Sequence, residues 1–402
     1  MVLLFHLVAL STAYPWRGST MKRVLRVLEE HPVIDGHNDF PMGVRSLLNN
    51  NISLLNFDHD LTQEEPWASY YANHVDIPRM RTGKMGGQFW SAFVFACKSQ
   101  FKDATQKFLE QIDIIHQIIN KYPADLMWAD SVEHIEIAIA TGKVASLIGV
   151  ESGYAIGNSL PVLRTLYSMG ARYMTLTHVC NTPWVDAAQV EDDYFPPRAN
   201  GLSEFGVKVV KEMNRLGMLV DLSHVSSDAM RQAIAASEAP VIFSHSGARG
   251  VAAVSRNVPD DVLQMVKEKG GIVMVNFYAC FLVESCRTVN ATVLDVVKHI
   301  DHIRMMAGVD HVGIGGDYNG IDVPPVDLPD VSHYPDVFAA LIEHSAYEWT
   351  DEDLGKLASG NIIRVMREVE LVRDVLQLEK KPDNTWIPNE DVGTDTDCSS
   401  KF

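Results

Sequence analysis

No apolar run in this chain reaches the roughly 18 residues that a membrane-spanning helix requires, so the sequence offers no transmembrane segment of that kind. Cations are also in short supply. There are 34 Lys and Arg against 52 Asp and Glu, a formal net charge of −18. That balance repels a phosphate backbone and argues against a nucleic-acid partner, leaving small molecules, peptides and metal ions. The five cysteines follow no CxxC spacing, which removes zinc ribbons and thioredoxin-type dithiols. GxSxG, HExxH and P-loop patterns are missing too, so a serine hydrolase, a gluzincin-type protease and a nucleotidase have no support. No glycine-rich loop follows an early strand, which disfavours an open nucleotide-binding sheet. There is no internal repeat and no low-complexity linker.

What is present describes a globular chain: 402 residues, 47% hydrophobic and 21% charged. That length suits two average domains or one large α/β barrel and can bury a full core without staples. Residues 1–13 combine an apolar stretch, Val2 to Leu10, with small residues up to Ala13, as a secretory signal peptide does. A single barrel domain is then expected over 14–380, followed by an extended polar tail over 381–402. Sequons at Asn51-Ile52-Ser53 and Asn290-Ala291-Thr292 mark Asn51 and Asn290 as candidate glycosylation sites and agree with an extracellular or cell-surface destination. Five cysteines leave one free or paired between chains in an oxidising compartment, and Cys398 in the tail is the candidate link of a homodimer.

Eight short apolar runs qualify as buried strands: Val33 to His37, Phe89 to Phe95, Val144 to Val150, Arg172 to Thr177, Met218 to Leu222, Val241 to Ser244, Ile272 to Phe277 and Val312 to Gly315. Between them lie stretches of helical period. One is Thr105 to Lys121, with Phe108, Ile112, Ile115 and Ile119 on one face. Others are Ser203 to Gly217, Pro259 to Gly270, Val293 to Ala307, and Asp351 to Val369 with Thr350 as its cap. Such alternation predicts a parallel sheet closed into a (β/α)8 barrel.

At or just past the C-terminal ends of these runs stand His37, Asp39, Glu151, His178, His224, His245 and Asp317. In a barrel all strand C-termini open onto one face, where active sites are built. His37 and Asp39, two apart in extended chain, point the same way and can chelate one ion. His224 and His245 end successive strands and serve a second, and Glu151 can give one oxygen to each. Imidazole with carboxylate suits zinc first, then manganese or cobalt. A lone strand-end histidine is ordinarily a hydrogen-bonded core residue. Several in register are harder to explain by packing, since each buried imidazole or carboxylate needs a partner.

The motifs VIDGHND, GGQFWS, GKVASLIGVES, YMTLTH followed by NTPW, KEMNRLG, DLSHVS, APVIFSHS, SRNVPDD, MVNFY and GIGGDYNG, in order from about Met21 to Val372, resemble the membrane (renal) dipeptidase family of zinc metallopeptidases, a branch of the amidohydrolase-type barrels. The resemblance implies a binuclear zinc enzyme that hydrolyses dipeptides, cysteinyl-glycine conjugates among them, with a hydroxide held between the metals. It implies that His37 and Asp39 hold the first zinc, that His224 and His245 hold the second, and that Glu151 bridges them. It further implies that His178 contacts the substrate and steadies the charge developing on its carbonyl, that Arg256 receives the free carboxylate, and that Asp317 carries the proton. Ser152 stands where many members have glycine. Cys97 and Cys180 match a family disulfide, whereas the usual partner of the Cys286 position is missing, leaving Cys286 free or joined to Cys280. Mammalian members exchange a hydrophobic C-terminal tail for a lipid anchor, and this chain stops at Lys401-Phe402, so an anchor is expected only if a longer tail exists. Two other readings stay open: a barrel acting on a cyclic amide, lactone or phosphotriester, and a secreted binding protein that has lost catalysis. The first usually employs a carbamylated lysine, and no lysine ends a strand here; the second normally lacks a ligand, and none is lacking.

Overall fold

Each of the eight apolar runs forms a strand, and a ninth, short strand joins them. The computed structural model describes residues 16–95, 103–286 and 288–392. The strands are β1 Val33–Asn38, β2 Met85–Ala92, β3 Leu126–Trp128, β4 Val144–Glu151, β5 Ala171–Thr175, β6 Leu219–Asp221, β7 Val241–Phe243, β8 Ile272–Val275 and β9 Val312–Ile314. Every pairing is parallel, and the order β2-β1-β9-β8-β7-β6-β5-β4 closes through β2–β4 into an eight-stranded (β/α)8 barrel. β3 stands outside the ring. It pairs with Val144–Ser146 at the start of β4, and β5 takes up β4 from Ile148 onward.

Both faces of the sheet are apolar, as burial between helices and barrel interior demands. Val33, Ile148, Met174, Val220, Val241, Val273 and Val312 belong to the cluster that includes the surrounding helices. Their neighbours Ile34, Leu147, Tyr173, Leu219, Ile242, Ile272 and Met274 belong to a second cluster, which also takes in Ile135 and Ala138 and, from the last long helix, Val365 and Met366. Two-residue alternation thus sorts the side chains, and chain direction carries the polar residues after each run to one rim.

Helices occupy the expected intervals: Ala104–Lys121, Glu204–Leu216, Asp260–Lys269 and Val293–Ala307. Ser203 caps the second through Gly206 N, and Gly217 ends it in the left-handed region at φ 80°. Two elements differ from expectation by more than two residues. β2 begins at Met85 rather than Phe89, taking in Gly86 and Gly87 as close-packing positions, and ends at Ala92 rather than Phe95. A Cβ on Gly86 would meet Pro32 Cγ at 2.4 Å, and one on Gly87 would meet Ile34 Cγ1 at 3.0 Å. The last long helix starts at Asp351 with Thr350 as its cap, passes through a π-helical turn at Lys356–Gly360, and continues from Asn361 to Glu379. After that turn the Asn361 side chain donates to the carbonyls of Val309 and Val312 at 2.7 and 2.8 Å, tying the helix to β9.

Beyond Lys380 the chain has no regular structure until the short helix Asn389–Val392. Arg164 holds it by donating to Asp383 O at 2.7 Å and Asn384 Oδ1 at 2.6 Å. The expected signal segment, Cys97 and Cys398 lie outside the described residues. No helix among the described residues is long and apolar enough to cross a membrane.

Candidate metal centre and active site

The seven strand-end residues converge. His37 is the fifth residue of β1, and Asp39 follows the strand, its backbone N–H donating to Tyr318 O at 3.1 Å. Glu151 is the last residue of β4. His178, His224, His245 and Asp317 come from the turns after β5, β6, β7 and β9. The turns after β4, β6 and β9 hold L-residues at positive φ: Ser152 at 130°, His224 at 71° and Asp317 at 60°. Such conformations are costly for residues other than glycine and gather at functional sites. At Ser152 the backbone adopts glycine-like torsions, and the serine hydroxyl accepts from Tyr154 N at 3.2 Å.

Glu151 lies at the centre. Its Oε2 accepts from Ser91 Oγ at 3.2 Å and sits 3.4 Å from His37 Nε2, which in turn lies 3.2 Å from Asp39 Oδ2. Its Oε1 faces the other way, 3.1 Å from His224 Nε2, 3.5 Å from His245 Nε2 and 3.7 Å from His178 Nε2. Among the described residues three sets have ligand atoms within 4.8 Å of one another: His37, Asp39 and Glu151; Glu151, His178 and His224; and His37, His245 and Asp317. His178 therefore stands beside His224 as closely as a ligand would, and Asp317 closes the opposite side.

The electrostatics suit cations. Burial opposes the charge on Glu151, but His37, His178 and His224 outweigh it and hold the carboxyl well below its ordinary range. Burial pushes His224 and His245 well below theirs, keeping both imidazoles neutral with lone pairs available. Their Nε2 atoms approach to 2.9 Å, two ring nitrogens turned toward each other beside a carboxylate oxygen. Asp39 Oδ1 is buried with no hydrogen-bond partner. Such a concentration of acceptors is costly on its own and matches the donor set of a zinc-type divalent ion, or of two sharing Glu151. Burial, joined by Asp39 and Glu151, raises the Asp317 carboxyl well above its ordinary value.

A second ring of residues orients the imidazoles of His37 and His245. The Tyr173 hydroxyl is 2.7 Å from His37 Nδ1. Ser244 Oγ is 2.8 Å from His245 Nδ1 and donates to Asp221 Oδ2 at 2.6 Å. Asp221 also accepts from Thr175 Oγ1 at 2.5 Å and Ser223 N at 3.1 Å. Partners on Nδ1 leave Nε2 facing the centre, as ligation requires. In the sequence Asp221 and Ser244 are marked only by standing beside the histidines in DLSH and FSHS, and Tyr173 continues the apolar run of β5 with no mark at all.

Arg256 lies against the same centre and is 4% exposed, which excludes a surface salt bridge. Its neighbours Asp260 and Asp261 pair elsewhere, with His302 at 2.7 Å and Arg231 at 2.7 Å. The guanidinium donates to Ser246 Oγ at 3.3 Å and His245 O at 3.2 Å, rests over the Phe281 ring at 5.1 Å, and has no partner on Nε. Burial lowers its pKa to about 10, so it remains cationic at neutral pH. A cavity of about 790 Å³ opens here, lined by His224, Arg256, Phe281, Val179, Tyr194 and Asp192 among others.

Farther out, Asn51 and Asn290 are both exposed. Cys180 is disulfide-bonded. Cys280 is joined to Cys286, which settles the choice left open for Cys286.

Comparison with known proteins gives the same direction. Residues 21–380 match the family described as membrane dipeptidase (peptidase family M19). Dipeptidase 3 of Rattus norvegicus is 41% identical over 353 residues, covering 88% of this chain and 68% of the relative. Among solved structures, the dipeptidase AC, a metallopeptidase of family M19, is 27% identical with a TM-score of 0.72, covering 84% of this chain and 98% of that one. A metallopeptidase from Rhodobacter sphaeroides, liganded with a phosphinate mimic of the dipeptide L-Ala-D-Ala, is 25% identical with a TM-score of 0.71, covering 84% and 99%.

Proposed function

The chain belongs to the membrane dipeptidase family, metallopeptidases that act on dipeptides, and on that premise we propose that it uses two zinc ions per chain and takes dipeptides with a free C-terminal carboxylate, cysteinyl-glycine conjugates among them. The observation that carries the zinc reading is Glu151, whose two oxygens face different donor sets, His37 with Asp39 on one side and His224 with His245 and His178 on the other. A pair of such cations supplies Lewis-acid polarisation of the scissile carbonyl and acidification of water.

The remaining work falls to the chain itself. Arg256 binds the substrate carboxylate as a fork, a charge-assisted contact in a site of low exposure. His178, partly exposed beside the centre and packed on Phe93 with ring centroids 4.6 Å apart, presents a neutral imidazole whose N–H can meet negative charge on the carbonyl oxygen. Asp317, whose carboxyl binds a proton more readily than an ordinary aspartate, accepts the proton of the attacking water and passes it to the leaving amine. An arginine fixed relative to the centre also measures length, because a longer peptide carries its carboxylate out of reach.

The deciding experiment measures metal content and hydrolysis together. Purified protein should hold about two zinc ions per chain, lose activity with a chelator, and cleave free dipeptides faster than their C-terminal amides. Fewer than one zinc per chain in active protein sinks the binuclear reading. Equal cleavage of free and amidated dipeptides removes the role of Arg256 and returns weight to a cyclic amide or lactone. We further infer a secretory route, supported by exposed sequon asparagines and by disulfide bonding at Cys180 and Cys280–Cys286.

A further inference from the structure

Arg256 is weakly held for a residue asked to meet a substrate at a set distance. Its two hydrogen bonds, 3.3 and 3.2 Å long, go to a hydroxyl and a carbonyl, and no carboxylate among the described residues pairs with it. Its aim therefore depends on the backbone from which it projects. That backbone is gripped from both sides by one other side chain. Arg249 donates from Nη2 to Ser255 O at 2.7 Å and from Nε to Asn257 O at 3.1 Å, the carbonyls immediately before and after Arg256. Its Nη1 donates to Glu191 Oε2 at 2.8 Å and Ser227 Oγ at 2.9 Å. Glu191 is seated in turn by Ser227 N at 2.5 Å, at the first turn of the helix Ser227–Ala236, where a carboxylate is favoured. Asp192 adds a bond from Ser255 Oγ at 2.5 Å. The network thus ties the Arg256 segment to the segment of Gln189, Asp192 and Tyr194, which lines the same cavity.

We propose that Arg249, braced by Glu191, is a positioning residue that sets the Arg256 guanidinium at the distance and angle required by the substrate carboxylate; this rests on the reading of Arg256 given above. An exposed Arg–Glu pair by itself contributes little to stability. What distinguishes this one is a planar fork divided between two carbonyls that flank a single residue, a task lysine cannot perform, since its ammonium is a point donor on a flexible stem.

The test uses the zinc-loaded full-length protein, with Leu-Ala and its C-terminal amide as paired substrates, and compares Arg249→Lys, Arg249→Met and Glu191→Gln. Misplacing a positioning contact costs up to about 100-fold, so the free-to-amide ratio of kcat/KM should fall by roughly 10 to 100-fold in the Arg249 variants and by less in Glu191→Gln. The loss should appear chiefly as a raised KM for the free dipeptide, because the carboxylate contact is made in ground and transition states alike. Zinc content should match wild type. Arg249→Lys should not rescue Arg249→Met. If Arg249→Met does not fold, Arg249→Lys and Glu191→Gln carry the test. A ratio that stays at the wild-type value while both substrates slow together assigns Arg249 to general stability and overturns the proposal. Arg256→Ala is the control. If it leaves the ratio intact, the carboxylate reading itself has failed, whereas a collapsed ratio in Arg256→Ala beside a normal one in the Arg249 variants rejects this inference alone.

Discussion

Replacing Tyr173 by phenylalanine removes one oxygen from the second ring of the metal centre and little else. The hydroxyl is 2.7 Å from His37 Nδ1, and both residues are fully buried. The ring has no room to shift, since it packs on Phe89 with centroids 5.2 Å apart and lies so close over Gly149 that a Cβ there would meet Tyr173 Cζ at 2.0 Å. In the variant the His37 Nδ1–H is therefore stranded where water does not reach. An unmet buried donor costs about 1–3 kcal/mol, and this should appear as lowered stability of the metal-free protein. Loss of a partner that orients a ligating histidine typically weakens metal binding 10 to 100-fold, about 1.4–2.7 kcal/mol. Tyr173→Phe should then bind zinc weaker by that factor in competition with a chromophoric chelator, while kcat at saturating zinc changes less than affinity. Wild-type zinc affinity together with wild-type unfolding of the metal-free variant would refute the role given to this hydroxyl.

Glu151→Gln keeps the volume but leaves one oxygen where two are required, so zinc per chain should fall by about half or more and activity should drop with it; a variant that retains two zinc ions would remove Glu151 as the bridge. Stability should depend on pH through His299, whose Nδ1 accepts from Ala248 N at 2.9 Å and whose pKa burial lowers from 6.5 to about 4. Between those values the unfolded chain binds a proton that the folded one does not, so stability falls as pH drops through this window. His299→Gln should flatten the decline by on the order of 3 kcal/mol relative to wild type in denaturant titrations at several pH values, and identical pH profiles would exclude His299 as its source. Protein from its native tissue should begin near Ala13 or Tyr14 and lose mass at Asn51 and Asn290 on glycosidase treatment; an intact Met1 without glycan would contradict the secretory route.

The parts legible in the sequence share a physical property: each is a local break in a pattern. A histidine or carboxylate at the end of an apolar run interrupts that run, and in a closed parallel sheet every such interruption lies on the same rim, so His37, Glu151, His224 and His245 could be found without any contact being known. What stayed hidden continued a pattern instead. Tyr173 reads as one more apolar residue of β5, and no pattern in the sequence shows that Pro32 and Ile34 press against Gly86 and Gly87. β3 is three residues long, too short for periodicity to register, and it borrows the edge of β4 ahead of β5. Arg249 was illegible for a further reason. Its partners are main-chain carbonyls, which every sequence has everywhere, so only the folded loop distinguishes the two that flank Arg256 from all the others. Groups that touch a metal or a substrate must differ chemically from their surroundings, whereas groups that aim them need only be well placed. Predictions about the second kind therefore rest on geometry, and Tyr173 and Arg249 are where such reasoning is most exposed to refutation.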